Sequence, residues 1–199
     1  MYKTHITADS SSIHKNSKAL LLIIRSLRKE KVKILEDWIT RELNPKTRVT
    51  RPKSILFAKS RQAIDKSDFV IAECSYPSSS VGANLEHALS KQIPVLCLHL
   101  GEREKYVGSV IRGFKSPILK ITAYSPDNVS RIISEFIDSQ AKRRIKYSVF
   151  LNPKQAKYLE WLLSKKKEGN GSKKGFKSEI IREMINKAMN KDTDYHNSS

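Results

Sequence analysis

Two short apolar runs with a helical pattern between them constrain the fold of this chain most. The first run covers residues 68–74 and the second covers residues 93–100. Both are predicted to be buried strands, because continuous apolar runs of this length are typical of strands covered on both faces. A serine-rich loop and a helix that opens at Gly82 connect them, so the sequence predicts a βαβ unit. Ligands bind beyond the carboxyl ends of strands in open parallel sheets, which makes this loop a candidate site.

The same alternation of strands and helices continues through most of the chain. Further strands are predicted at residues 2–8, 32–35 and 117–121, and helices at residues 17–30, 38–43, 53–66, 82–91 and 127–141. Ser17 is the predicted N-cap of the first helix. This order of elements predicts an α/β fold with an open, mainly parallel, Rossmann-like sheet that carries helices on both faces.

The pattern changes after residue 141. Residues 145–151 alternate between apolar and polar side chains, which predicts a half-exposed strand. Asn152-Pro153 predicts the start of one helix, and Ser178 predicts the start of a second. These helices are predicted to bury their apolar residues, namely Ala156, Leu159, Leu162, Leu163, Ile181, Met184, Ile185, Ala188 and Met189. The segment is therefore expected to be a small β-α-α element.

This change divides the chain into three parts. The predicted domains are residues 1–141 and 142–192, followed by a polar tail at 193–199 that is predicted to be disordered. Lysine and arginine number 38 and aspartate and glutamate 20, which gives a formal charge of +18. Such an excess favours polyanionic partners, nucleic acid first and anionic membranes second. The alternative is that the charge only keeps the protein soluble.

Other classes of protein are disfavoured by what the sequence lacks. No apolar run approaches the length of about 20 residues that a membrane-spanning helix needs, and the N-terminus lacks a signal-peptide layout. Cys74 and Cys97 both fall in predicted buried strands, so we expect reduced thiols and a cytoplasmic protein. No cysteine and histidine cluster has metal-ligand spacing, so neither a metal nor a cofactor is predicted.

A strand and two helices cannot bury a core alone in some fifty residues, but a homodimer can. The segment resembles the ribbon-helix-helix family of DNA-binding domains at residues 145–153 and 177–183. The resemblance implies a two-stranded ribbon in the major groove that reads bases with Lys146, Ser148 and Phe150, and a helix N-terminus at Ser178 that meets phosphate. Phe150 departs from the family, which usually has a polar or basic residue there. A basic dimerisation or docking tail is the alternative.

Residues 2–140 resemble the nucleoside 2-deoxyribosyltransferase superfamily, which includes deoxynucleoside 5′-monophosphate N-glycosidases. The resemblance depends on the strand at 68–74, on Pro77-Ser78, and on Val81-Gly82 before a helix with Leu85 and Ala88. It implies cleavage of an N-glycosidic bond, in which a helix glutamate two positions after the glycine attacks the sugar. That position here is Asn84, and a neutral amide is a poor nucleophile.

Other positions also depart from the superfamily. Glu86 follows two residues later, but two residues rotate a helical side chain by about 200°, so Glu86 should face away from the site. Ser60 stands where the superfamily has an aspartate that assists the leaving base. The loop after the first strand is Asp9-Ser10-Ser11-Ser12, whereas the family has a glycine-rich loop with an arginine. These departures favour lost or altered catalysis.

Ligand binding can survive without catalysis. The resemblance implies that Ser78 contacts a 5′-phosphate, free backbone N–H groups near Gly82 favour an anion, and the Asn84 amide can bond a sugar hydroxyl. The predicted ligand-binding residues are Asp9, Ser10, Glu73, Ser78, Gly82 and Asn84.

Three functions stay open from the sequence. The first is a homodimeric regulator that binds a nucleotide, such as a deoxynucleoside monophosphate, without turnover (a pseudoenzyme) and binds DNA through its C-terminal domain. The second is an active N-glycosidase or deoxyribosyltransferase that uses Glu86 or Glu73 as its catalytic carboxylate, with the C-terminal segment as an oligomerisation element. The third is a nonspecific nucleic-acid binder, whose affinity should fall steeply with salt.

Overall fold

A computed structural model describes residues 1–47, 52–143, 149–169 and 177–194 of the chain. Its contacts divide the chain into an N-terminal unit, Met1–Arg143, and a C-terminal unit, Arg144–Ser199. Each unit is described by itself.

The N-terminal unit is built on a five-stranded parallel sheet. Its strands are β1 (Lys3–Thr7), β2 (Lys33–Ile34), β3 (Phe69–Glu73), β4 (Val95–Leu100) and β5 (Leu119–Tyr124). Their order across the sheet is β2-β1-β3-β4-β5, and every neighbouring pair is parallel. The predicted α/β fold with a mainly parallel sheet is confirmed.

Helices cover both faces of this sheet. They are α1 (Ser17–Lys29), α2 (Trp38–Leu43), α3 (Lys53–Asp65), α4 (Ser79–Ser90), α5 (Ser109–Gly113) and α6 (Val129–Ala141), with a 3₁₀ helix at Gly101–Tyr106. Alternate residues of β3 join two different apolar clusters, because successive strand side chains point to opposite faces. Phe69 packs in the cluster that holds α1 and α6, and Val70 packs in the cluster that holds α4.

The ends of several elements differ from the sequence-based expectation. The N-cap of α1 is Asn16 rather than Ser17, which already has helical backbone. Helix α4 begins at Ser79, three residues before the predicted start at Gly82, because Ser78 is the last residue with extended backbone. Strand β5 begins two residues and ends three residues later than predicted, since it stays paired with β4 up to Tyr124. Non-local pairing, rather than local composition, sets that end.

Cys97 lies in β4, whereas Cys74 directly follows the last residue of β3 instead of lying in a strand as predicted. Both Cys74 and Cys97 are buried and free, with their Sγ atoms 2.9 Å apart. The prediction that both are buried is confirmed. None of the described helices is long and apolar enough to cross a membrane.

The C-terminal unit contains two helices, α7 (Pro153–Gly169) and α8 (Lys177–Lys191). The start of α7 has a reciprocal capping box: the Gln155 backbone N–H donates to Asn152 Oδ1 at 2.9 Å, and the Asn152 N–H donates to Gln155 Oε1 at 3.0 Å. The predicted helix start at Asn152-Pro153 is confirmed. Helix α8 begins one residue before the predicted Ser178.

The strand predicted at residues 145–151 is not seen where the chain is described. Residues 149–151 are described and are not in a strand, and the first part of the prediction lies outside the described residues. The predicted disordered tail is described only at Thr193 and Asp194, which have helical backbone.

The predicted burial of the C-terminal apolar residues is largely wrong for the single chain. Leu159 is buried, as predicted, and Ile180 is buried in place of the predicted Ile181. Helix α8 leaves four residues of its predicted core exposed, namely Met184, Ile185, Ala188 and Met189. The physical reason is that two helices can cover only one face of each other, so a further apolar face needs another layer.

Candidate functional site

A pocket of about 390 Å³ lies at the carboxyl ends of the first three strands. Strands β1 and β3 are neighbours, and the chain leaves β1 toward β2 on one side and leaves β3 toward β4 on the other. This reversal opens a crevice, which is where open α/β sheets bind ligands. The pocket is lined by Thr7, Ala8, Asp9, Ser10, Ser11, Glu36, Trp38, Leu56, Phe57, Ser60, Pro77, Ser78, Ser79, Ser80 and Asn84.

Asn84 lies in the wall of this pocket with half of its amide unsatisfied. Its side chain is only 4% exposed, and Nδ2 donates to Thr7 Oγ1 at 3.1 Å. Oδ1 is buried without a hydrogen-bond partner among the described residues. An unsatisfied buried acceptor costs about 1–3 kcal/mol, which a ligand hydroxyl or N–H would relieve. The amide is therefore an acceptor ready for a donor from a ligand.

Glu86 lies on the other side of the same helix. It is exposed and is not among the residues that line the pocket, whereas Leu85 and Ala88 pack beneath α4 in the apolar cluster with β3. The arrangement follows from the helical rotation between positions 84 and 86.

The loop after β1 supplies a charged group to the pocket. Asp9 accepts from Ser11 Oγ at 2.6 Å and from the Ser12 backbone N–H at 2.8 Å. Partial burial acts to raise the pKa of Asp9, but these hydrogen bonds outweigh it and hold the pKa below its ordinary value. Asp9 is thus a carboxylate at neutral pH, and Ser10 beside it also lines the pocket.

The start of α4 supplies backbone donors. Ser78 is the N-cap with extended backbone, and its Oγ lies 3.0 Å from Ser80 Oγ. The N–H groups at the first positions of a helix have no partner inside the helix and carry partial positive charge. They belong here to Ser79, Ser80 and Val81, because the Gly82 N–H already donates to Ser78 O at 3.2 Å.

The Gly82 N–H is therefore not one of the free backbone donors at this helix start. Gly82 lines a neighbouring cavity of about 330 Å³ that shares Pro77, Ser78 and Ser79 with the first pocket. The free donors lie earlier in the chain than expected because the helix starts three residues before Gly82.

Glu73 is buried inside the unit and does not line the pocket. Its Oε1 accepts from the Ser75 backbone N–H at 3.2 Å, from the Ser75 hydroxyl and from Tyr124 Oη at 3.1 Å. Burial raises the pKa of Glu73 above its ordinary value, and the bonds from Ser75 and Tyr124 only partly oppose this. Its contacts join the ends of β3 and β5, which is a structural role.

Sequence reasoning missed the apolar wall of the pocket. Trp38 donates its indole N–H to the Ile6 carbonyl at 2.9 Å, and Phe57 comes from α3. Glu36 also lines the pocket and is paired with Arg41. The signal was present in the sequence, since Glu36-Asp37-Trp38 directly follows the predicted second strand.

The predicted DNA-binding residues are described only in part. Phe150 is fully exposed, and Ser178 is exposed in the first turn of α8. Lys146 and Ser148 lie outside the described residues.

Comparison with known proteins finds no family model that matches the chain. The chain is 34% identical over 94 residues to "Putative 2′-deoxynucleoside 5′-phosphate N-hydrolase 1" of Methanosarcina mazei, a match covering 46% of this chain and 56% of that protein. The protein of the same name from Methanosarcina barkeri is 36% identical over 94 residues, covering 46% and 57%. The 5-hydroxymethyl-dUMP N-hydrolase of Danio rerio is 30% identical over 82 residues, covering 41% and 57%.

The chain thus spans little more than half the length of the curated relatives it matches. A solved structure of Clostridium botulinum CMP N-glycosidase aligns with 67% of this chain and 98% of its own, at a TM-score of 0.48 and 15% identity. Part of this chain is therefore similar in sequence to proteins named as nucleotide N-hydrolases, which supports its resemblance to the nucleoside 2-deoxyribosyltransferase superfamily.

Proposed function

We propose that the pocket between β1 and β3 binds a deoxynucleoside 5′-monophosphate or a closely related nucleotide. The observation that carries this proposal is the buried Asn84 side chain, which lines the pocket and whose Oδ1 lacks a partner among the described residues. The similarity to proteins named as 2′-deoxynucleoside 5′-phosphate N-hydrolases supports the class of ligand.

The chemistry of the pocket walls suits the three parts of a nucleotide. A phosphate fits the N-terminus of α4, where the N–H groups of residues 79–81 and the Ser78 hydroxyl can donate. A sugar hydroxyl can donate to Asn84 Oδ1, and a base can lie against Trp38 and Phe57. The volume of about 390 Å³ is within the usual range for small-ligand pockets.

The proposal is binding without turnover, as in a pseudoenzyme. The resemblance implies that a glutamate should stand at position 84, and the amide there cannot form a glycosyl ester. Glu86 is exposed and Glu73 is buried outside the pocket, so neither carboxylate can reach a ligand bound there.

An active N-hydrolase is the second candidate, because the relatives carry that name. It would need a carboxylate in the pocket wall, and the described lining residues of that kind are Asp9 and Glu36. This candidate replaces the earlier expectation of Glu86 or Glu73 as the acting carboxylate.

Titration calorimetry and a base-release assay with the four deoxynucleoside monophosphates test both candidates. We expect binding by the wild type, about tenfold weaker binding by Asn84→Leu through loss of one buried hydrogen bond, and unchanged binding by the matched control Glu86→Gln. No free base should appear. Release of base that disappears in Asp9→Asn or Glu36→Gln would establish the hydrolase instead.

We also propose that the C-terminal unit forms a homodimer that binds duplex DNA, which would make the protein a regulator. Its 13 basic and 6 acidic residues suit a polyanion, and a second copy would cover the apolar face of α8 around Ile185. Sedimentation should give a dimer that Ile185→Asp dissociates. Duplex binding should weaken in Phe150→Ala. Glu86→Gln, which lies in the N-terminal unit, is the control and should bind duplex DNA as the wild type does.

A further inference from the structure

One face of α7 carries a row of two aromatic rings between two lysines. The residues are Lys154, Tyr158, Trp161 and Lys165, whose spacing of four, three and four residues puts them on one side of a helix. All four are exposed, with Tyr158 at 51% and Trp161 at 48%. We call these four residues the aromatic stripe.

The two rings of the aromatic stripe are already ordered. Tyr158 and Trp161 are stacked, with ring centroids 5.6 Å apart and planes 25° from parallel. Lys165 Nζ lies 4.3 Å from the centroid of the Trp161 ring, which is a cation–π contact. A ring held in this way loses little side-chain entropy when another flat group stacks on it.

The aromatic stripe lies on a different side of α7 from the residues that are buried or paired with α8. Among the described side chains of α7, Leu159 is the buried one, and it lies between the ring positions in sequence but off their face. Glu160 is also off this face, where it pairs with Lys177 at 3.0 Å. The charged members of the stripe are therefore both positive.

We propose that the aromatic stripe binds single-stranded nucleic acid by stacking an unpaired base on its rings while its lysines contact the adjacent phosphates. Proteins bind single strands through aromatic side chains on which bases stack and through a positively charged surface that contacts the backbone. A duplex hides the faces of its bases in its own stack, so the rings select unpaired bases. Lysine is depleted in protein–protein interfaces, so the two lysines of the stripe favour a polyanion at this face over a second copy.

Fluorescence anisotropy of the full chain with a labelled ten-residue oligo-dT tests the proposal. Saturating dTMP is present throughout, so that the nucleotide pocket proposed above does not contribute. Tyr158→Ala and Trp161→Ala leave the net charge unchanged, and each should weaken binding about tenfold or more. Trp161→Phe keeps a ring and should bind within about threefold of the wild type. Asn190→Ala, an exposed position on α8 that lies outside the stripe and also leaves the net charge unchanged, is the matched control and should bind normally.

Salt separates stacking from simple charge attraction. Raising the salt concentration should weaken every variant, but the ratio between wild type and Trp161→Ala should persist because stacking is not screened. Equal affinity of Trp161→Ala and wild type would overturn the proposal, as would equal affinity of the wild type for single-stranded and duplex DNA. A Trp161→Ala chain with an altered sedimentation coefficient would assign the stripe to a second copy and also overturn it.

Discussion

The two units of the chain are both basic and both rich in apolar residues at regular spacing, yet they bury those residues very differently. The N-terminal unit has apolar clusters on both faces of its sheet. In the described part of the C-terminal unit, the buried apolar residues are Leu159 and Ile180, and Ile185 is 52% exposed. Periodic apolar residues thus form a core only where enough layers exist to cover them.

The N-terminal unit buries His5 and Glu73, and burial shifts the pKa of each away from its ordinary value. Each unit contains one tryptophan, Trp38 or Trp161. The fluorescence of Trp161→Phe therefore reports unfolding of the N-terminal unit, and that of Trp38→Phe reports unfolding of the C-terminal unit.

The largest expected effect tests the difference in burial. Phe69→Ala removes a fully buried ring that packs edge-on against Tyr2 and Phe136, and should cost about 3–5 kcal/mol in the free energy of unfolding. In a monomeric chain, Ile185→Ala should change the free energy of unfolding that Trp161 reports by less than about 1 kcal/mol. Urea titration followed by tryptophan fluorescence measures both.

A concentration series sharpens that result. If the loss of unfolding free energy in Ile185→Ala grows as protein concentration rises, a second copy covers α8. The difference in burial between the units then holds only for the single chain. If Phe69→Ala costs under about 1 kcal/mol at every concentration, the contrast between the units is wrong.

His5 should make the N-terminal unit sensitive to acid. Burial lowers the pKa of His5, and its Nδ1 lies 3.1 Å from the Leu35 carbonyl. The unfolded chain then binds the proton more readily, so stability present above the ordinary pKa of 6.5 is lost as pH falls below it. Each pKa unit of difference is worth about 1.4 kcal/mol. His5→Asn keeps a hydrogen-bond donor that does not titrate. Its unfolding midpoint, followed by Trp38 fluorescence, should fall less between pH 7 and pH 5 than that of the wild type.

Glu73 should act with the opposite sign. Its pKa is raised in the folded state, so the folded state holds the proton more tightly and stability is lost as pH rises from 4.5 through the raised value. Glu73→Gln removes this charge and should gain stability over the wild type at pH 8 but not at pH 4. Thermal unfolding at the two pH values measures the gain, and equal differences at both would contradict the assignment.

The smallest effect concerns the capping box of α7. Asn152→Ala removes the Oδ1 acceptor of the Gln155 N–H and should cost about 1 kcal/mol of helix stability. In a unit with few buried contacts, this loss should appear as fraying of the first turn, measured by hydrogen exchange at residues 153–156. Asn190→Ala, an exposed asparagine near the end of α8, is the matched control.

Much of the fold could be predicted because it follows from local patterns. The βαβ unit around the serine-rich loop, the alternation through β5 and the helix start at Asn152-Pro153 all agree with the structure. The start of α4 could not be set, because serine is compatible with both an extended cap and a first helical turn, and only the Ser78 backbone decides between them.

The candidate site divides in the same way. Asp9, Ser10, Ser78 and Asn84 were predicted and line the pocket, whereas Glu73 and Gly82 do not. Trp38 and Phe57 were missed because they come from elements whose position around the site depends on strand order.

Within the N-terminal unit, the sequence by itself determined the alternation of strands and helices and the opposite directions of positions 84 and 86. Side-chain periodicity is a consequence of local backbone angles, so neighbours along the chain contain that information. Only the tertiary structure decided that β1 lies between β2 and β3, which brings three loops around one pocket. Strand adjacency depends on hydrogen bonds between residues far apart in sequence, and no local pattern specifies them.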